Sequence, residues 1–341
     1  MSTAWNSFYS GKLFYKYIRE MTMISVIISI YNRNEFYHQA LRSLAEQTIG
    51  SEQFEVIIVT NIPVELTDFS FKFSVFMTKD TSLVGKLIIG IDNSKGEIIS
   101  FLEDDDIFLP HKLEEVIDAF RNDIAFYKNG ISRFASYEYP SEHMNKVRYE
   151  KPRVHIVRNY DDEKVFTLIK LGVNYNLSSI SIRRQFANEV KKGLSNLRVG
   201  YVDSFLFYAA VKNNCSIGYC TSMMPSTIVR SHKNNSREYF SSKPKEIEAV
   251  ALINSLNTFD IQKTCQSPPS VSLIYTMIHL DVIDESIKSG LLRRGSVAIE
   301  LIHLLKDKYA AKLRRDLIIK MCLYIISASL LNIFLSLYRR L

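Results

Sequence analysis

Four adjacent acids, Glu103-Asp104-Asp105-Asp106, follow the apolar run 97–102 (EIISFL) without a spacer. Carboxylates this close repel one another, and each loses hydration on burial, so their charged forms are penalised twice. A divalent cation offsets both penalties. Magnesium and manganese take oxygen ligands and commonly combine one or two carboxylates with substrate phosphates. The alternative is an acidic helix N-terminus, favoured by the helix dipole, since Leu109-Pro110 and an amphipathic pattern (Leu113, Val116, Ile117, Phe120) come next. Tyr31-Asn32-Arg33 closes a second apolar run. Asp203 is the only acid of residues 199–206 (VGYVDSFL), at a predicted helix start. A carboxylate there serves either as a helix N-cap or as a general base. The segment 230–236 (RSHKNNS) offers His232 as a group able to touch a diphosphate or a metal, although a lone histidine is more often structural.

The elements that must position these groups are legible from periodicity. Residues 23–30 (MISVIISI) and 54–59 (FEVIIV) are short β-branched runs that read as buried parallel strands. Between them Phe36, Ala40, Leu41 and Leu44 fall on one helical face. A further strand is expected near 73–77, and a helix over 83–93 that Lys95-Gly96 stops. This alternation predicts an open, mainly parallel α/β sheet with flanking helices and right-handed crossovers. The carboxyl ends of such strands line the ligand crevice, which brings Tyr31, Arg33 and the acidic run to one edge. Residues 136–165 are polar and contain Pro140 and Pro152, so a long loop or insertion is expected; strand and helix patterns resume at 165–171, 178–182 and 206–211. Pro268-Pro269 marks a boundary, beyond which the pattern is helical to the end.

In order and spacing, residues 24–33 (ISVIISIYNR), the helix ending in Gln47-Thr48, residues 55–59, and then 96–107 (GEIISFLEDDDI) with Leu109-Pro110 and Lys112-Leu113-Glu114 resemble the family 2 glycosyltransferases, which carry the GT-A fold. The resemblance covers residues 23–125, weakens towards 240 and is absent beyond. It implies an inverting, metal-dependent transfer of a sugar from a nucleotide-diphosphate donor to a glycan or lipid-linked acceptor. It also implies roles. Ser29 and Tyr31, with Arg33 beside them, meet the nucleotide. Asn61 stands where many members place an Asp that accepts from the base, and its carbonyl can still accept. Lys86 lies in the diphosphate region, with a solvated helix lysine as the alternative. Glu103-x-Asp105 occupies the Asp-x-Asp position, with Asp105 as the leading ligand for Mn2+ or Mg2+, Asp104 as an alternative carboxylate and His232 as a further metal contact. Asp203 fills the place of the base, with Val202 where a Glu is usual.

Two other functions are compatible with the same residues. A polyprenyl-phosphate sugar synthase shares the fold but has an anionic acceptor that Asp203 would only orient. The departures at Asn61, Glu103 and Val202 suit a non-catalytic sugar-nucleotide-binding or scaffold protein, against which the retained Asp104, Asp105, Asp106 and Asp203 argue. No Gly-x-Gly-x-x-Gly follows the first strand, which argues against a dinucleotide-dependent oxidoreductase.

The whole chain sets the remaining expectations. The net charge of +7 is concentrated near the C-terminus, and with no nucleic-acid-binding motif it points to an anionic membrane or phosphorylated substrates. Residues 321–338 form an apolar stretch between Arg314, Arg315 and Lys320 on one side and Arg339 and Arg340 on the other. That length is near the lower limit for a span. We therefore expect a catalytic domain over 23–265, a membrane-associated helical region over 266–341 with an anchor helix at 317–338, and the catalytic domain on the cytoplasmic side of the cell membrane. The alternative for 317–338 is a core helix. Residues 1–22 form an extension whose spacing suits an interfacial helix, with an ordinary helix packed on the domain or a disordered extension as the alternatives. Cys215, Cys220, Cys265 and Cys322 lack zinc-site spacing and read as reduced core thiols. A homo-oligomer is compatible with all of this.

Overall fold

Ile24–Ile30 (β1) is buried along all seven residues, which requires cover on both faces of its sheet. In the computed structural model, which describes residues 23–31, 34–66, 69–142, 151, 153–197, 201–220, 225–231, 318–319 and 321–322, β1 pairs in parallel with Phe54–Thr60 (β2) on one side and Ile98–Glu103 (β4) on the other. Lys72–Met77 (β3) extends the sheet beyond β2 and forms an edge. Helix Asn34–Ala45 (α1) covers one face, where Tyr37, Ala40, Leu41 and Leu44 join Ile24, Val26, Ile28 and Ile30. Helix Leu83–Asn93 (α2) covers the other, where Val84, Leu87 and Ile91 join Ile27. Alternation along β1 thus serves two cores at once.

Past β4 the expected parallel order changes. Ile180–Arg183 (β9) enters antiparallel between β4 and Phe126–Lys128 (β6). Ile217–Cys220 (β10) pairs in parallel with β6, and Val154–Val157 (β8) closes the sheet antiparallel to β10. The eight-stranded order is β3-β2-β1-β4-β9-β6-β10-β8. Strand β8 and the start of helix Asp162–Lys170 (α4) lie in the segment expected to be loop. Strand β8 has four residues, none of them fully buried, too few for an alternating pattern to register. Helices Arg184–Leu194 (α5) and Val202–Lys212 (α6) pack on the face that α2 covers.

A second, three-stranded sheet joins Ile107–Phe108 (β5), Thr227–Arg230 (β11) and Ile131–Phe134 (β7) in the order β5-β11-β7. The sequence pattern did not predict it. Between β5 and β6, helix Lys112–Phe120 (α3) buries Leu113, Val116, Ile117 and Phe120, as its spacing requires. Gln47 ties it to α1, accepting from Leu113 N at 3.0 Å and donating to Leu109 O at 3.0 Å.

Gly96, in the turn before β4, is fixed by close approach: a Cβ there would lie 2.5 Å from Ser25 N. The turn is held by Gly96 N donating to Ser25 Oγ (2.8 Å) and Lys95 N to Glu55 Oε1 (2.6 Å).

Of the expected anchor helix 317–338, only Ile318, Ile319, Met321 and Cys322 are described. Met321 is fully buried in the core shared by α5 and α6, and Ile318 packs against it. Burial of such a side chain contributes about 1.5–3 kcal/mol. The start of that segment is therefore docked on the domain. Among the described residues no helix is long and apolar enough to cross a membrane. The extension 1–22 and the region 241–317 lie outside the described residues. The Cys215, Cys220 and Cys322 thiols are half-buried rather than fully in the core, and Cys265 lies outside the described residues.

Candidate active site

The four acids separate as β4 ends. The chain turns there, with Asp106 N donating to Glu103 O (3.2 Å) and Glu103 N to Ser178 Oγ (2.9 Å). Asp104 is fully buried and its Oδ2 accepts from Tyr31 N at 2.7 Å, joining the ends of β1 and β4. Asp106, 2% exposed, accepts from Arg230 N (3.0 Å) and Asn176 Nδ2 (3.1 Å). Lost hydration, then the nearby Asp105 charge, push its carboxyl up to about 7 against the pull of those bonds. Asp105 is the most exposed of the three aspartates at 9%, and Glu103 is half-buried. The run does not cap a helix: the N-cap of α3 is His111, with no side-chain bond. The acidic N-terminus alternative is thereby overturned.

Lys86 on α2 is not a solvated helix lysine. It is fully buried, and its Nζ donates to Ile30 O at 2.7 Å and Asn61 Oδ1 at 2.5 Å. The ammonium also lies 3.7 Å from the centre of the Tyr31 ring, a separation at which a cation is attracted to the ring face. Lys86, Asn61, Tyr31 and Asp104 thus link the ends of β1, β2 and β4 to α2. Ser29 is 2% exposed within β1, in register with Val59 and Glu103. We expect Lys86→Met to keep the buried stem but strand the Ile30 and Asn61 oxygens, lowering unfolding free energy by about 1–3 kcal/mol in urea titration. An unchanged midpoint would show that the two oxygens find other partners.

Asp203 stands in the first turn of α6 and is not its N-cap. That position is Tyr201, in the left-handed region at φ 53°. Asp203 Oδ2 accepts from Asn176 N (2.9 Å) and Oδ1 from Ser204 N (2.8 Å). Burial raises its pKa, while these N–H groups and the Lys128 charge lower it in part. Lys128 is itself pushed down to about 8 by burial and sustained by the Asp203 carboxylate. Asn176 therefore connects two acids 97 residues apart, Asp106 through its side chain and Asp203 through its backbone.

Arg230, read in the sequence only as the start of the His232 segment, organises the floor. It is 2% exposed; its Nε donates to Asp105 O (3.1 Å), one terminal nitrogen to Gln39 Oε1 (2.7 Å), and the other to Glu138 O (3.2 Å) and Ser136 O. Its guanidinium lies over the Phe36 ring. A second buried polar chain runs from Lys112 Nζ to Asn129 Oδ1, from Asn129 Nδ2 to Thr227 Oγ1 (3.0 Å), and from Thr227 Oγ1 to Ser178 O (3.3 Å). Asn176, Ser178, Lys128, Asn129 and Arg230 were not expected as site residues. For Lys128 and Arg230 the available signal was a charged residue ending a short apolar strand, while Asn176, Ser178 and Asn129 lie outside the strands.

Arg33 and His232 lie outside the described residues. Among the described residues no group of three His, Cys, Asp or Glu side chains forms a complete metal shell. Asp105 and Glu103 supply oxygen donors of the kind Mg2+ or Mn2+ takes when phosphate and water complete the shell, so the donor set fits a cation shared with a diphosphate.

The protein family described as Glycosyl transferase family 2 matches residues 25–175. An uncharacterized glycosyltransferase of Haemophilus influenzae is 37% identical over 100 residues, 28% of this chain and 33% of its own length. One from Rickettsia conorii is 30% identical over 138 residues, 38% of this chain and 22% of its own length. The chain thus spans a third or less of these relatives. The crystal structure of S. aureus TarS 1–349 in complex with UDP-GlcNAc superposes with a TM-score of 0.54 at 12% identity, covering 90% of this chain and 91% of that one. This likeness shows the fold, a GT-A-like α/β architecture with a mainly parallel sheet. The family match over residues 25–175 takes in Asp104–Asp106 and the crevice edge beside β1.

Proposed function

We propose that this chain is a sugar-nucleotide-dependent, inverting glycosyltransferase. The observation that carries the reading is the convergence of Tyr31, Asn61, Lys86 and Asp105 at the carboxyl ends of β1, β2 and β4, with Asp203 joined to the same acidic turn through Asn176. The two ends of a transfer reaction, a leaving group and a nucleophile, need these two kinds of group. Asp105, with Glu103, would hold a divalent cation, which neutralises charge on the leaving diphosphate when bound. The Lys86 charge sits beneath Tyr31 on the nucleotide side. Asp203 takes the proton of an acceptor hydroxyl as it attacks from the face opposite the leaving group. That displacement inverts the anomeric centre.

We further infer that the acceptor is presented at the cytoplasmic face of a membrane. The support is the basic, apolar C-terminal sequence, whose first residues are docked on the domain at Met321. A glycan or a lipid-linked acceptor suits this reading, and so does a polyprenyl phosphate.

The test is calorimetric titration of UDP and GDP, with and without manganese, into the full chain and Asp105→Ala. TarS 1–349 was crystallised with UDP-GlcNAc, so UDP is tried first. The expected result is manganese-dependent binding of one nucleotide, weakened about 10-fold or more by the substitution, the loss of one charged contact of about 1.4 kcal/mol. Absence of binding by either nucleotide under every metal condition would overturn the enzyme reading and favour a scaffold.

A further inference from the structure

Asn176 carries two costs at one position. Its backbone is at φ 67° and ψ 111°, in the positive-φ region that an asparagine enters only when its surroundings over-determine it. Its side chain is 7% exposed, and while Nδ2 donates to Asp106, the amide oxygen Oδ1 is buried with no hydrogen-bond partner. Buried acceptors are nearly always satisfied, so an orphan calls for an explanation. Among the described residues only Asp162 and Ser226 have another such atom. Neither lies in the connection between Asp106 and Asp203.

The position of Asn176 supplies the explanation, on the reading that the chain transfers sugars. Its neighbours are Asp106, next to Asp105, the proposed ligand of the cation on the diphosphate, and Asp203, the proposed base. In a displacement the anomeric carbon lies between the leaving group and the incoming hydroxyl. A residue bonded to both flanking acids therefore sits beside the transferred sugar itself. Asp106 takes one of the two amide N–H groups, and the polar atom left buried and unsatisfied is the acceptor Oδ1. The complementary partner is an O–H. We propose that Asn176 is a specificity-determining residue, whose Oδ1 accepts a hydrogen bond from one hydroxyl of the donor sugar. A site built to bond a substrate hydroxyl rejects the analogue lacking it, because its own polar group is then left buried and unpaired.

The test pairs a side-chain deletion with a ligand deletion. Asn176→Gly removes the amide yet tolerates the positive φ, and Asn176→Ala serves as the second variant should the glycine chain fail to fold. Each is assayed for kcat/KM with the nucleotide sugar that wild type uses and with its deoxy analogues, each lacking one hydroxyl. Wild type should lose about 10-fold or more on one analogue, and that penalty should shrink to within about threefold in the variants. A purely structural role would lower all donors alike and leave every penalty unchanged, which would overturn the proposal while the transferase reading stands. A wild-type chain that binds neither UDP nor GDP would overturn both.

Discussion

Asp203→Asn should lower sugar transfer by about 10²–10⁴-fold, the range for loss of a positioned general base, with nucleotide affinity changed by less than about twofold because Asp203 acts on the acceptor side. The pH profile gives a second readout. Burial holds the Asp203 pKa above the ordinary carboxylate value, and the base must be unprotonated to work. Wild-type kcat/KM should therefore fall as pH drops through that raised pKa, with its acid limb above about pH 3.9. The Asn variant has no such limb. The sign for stability is the reverse. A carboxyl whose folded pKa exceeds its unfolded one contributes fully below about pH 3.9, and that contribution is lost as pH rises through the folded value. At neutral pH the buried Asp203 charge costs the fold stability. A loss of less than about tenfold would favour a phosphate acceptor, which is already ionised and needs no base.

Arg230→Met should destabilise the domain by about 3–5 kcal/mol, the range for removing one partner from a buried charged network. Burial lowers the Arg230 pKa, and Asp105 and Asp106 raise it again. Removing the cation leaves both carboxylates without it and strands the oxygens of Asp105, Glu138 and Gln39. At about 2–4 °C per kcal/mol for a domain of this size, Tm should drop by roughly 6–20 °C, and metal-dependent nucleotide binding should fall with it. Arg230→Lys keeps the charge but not the planar fork, and should recover only part of the loss. Thermal unfolding of the three chains decides the point. Equal midpoints for Met and wild type would mean that the acidic turn holds its shape without the guanidinium.

The two predictions rest on residues that the sequence exposes unequally. Strands β1, β2 and β4 and helices α1, α2 and α3 were legible because a buried strand leaves a short apolar run in the chain and a helix with one buried face leaves a 3.6-residue period. The acidic turn and Tyr31 were legible as well, since both end such runs and strand ends form the crevice. Asp105 and Asp203 were named through the resemblance to family 2 glycosyltransferases, and their roles are proposals.

Long-range contacts were not legible. Strand β5 has two residues and β11 four, too few for any period, yet their pairing brings Arg230 under Asp105 and Asp106. Lys86 looks like any lysine on an amphipathic helix; only the ends of β1 and β2 closing over it make it a buried tether. Asn176 has no local signature at all, and its link between Asp106 and Asp203 exists only once β9 has inserted beside β4. Met321 sits in a run that reads as a membrane segment, and packing against the α5 and α6 core places its start on the domain. Local pattern determined which edge of the sheet gathers Tyr31 and the acidic turn, because burial is periodic. Tertiary structure decided which polar groups face one another there, because partners 25 to 191 residues apart share no period.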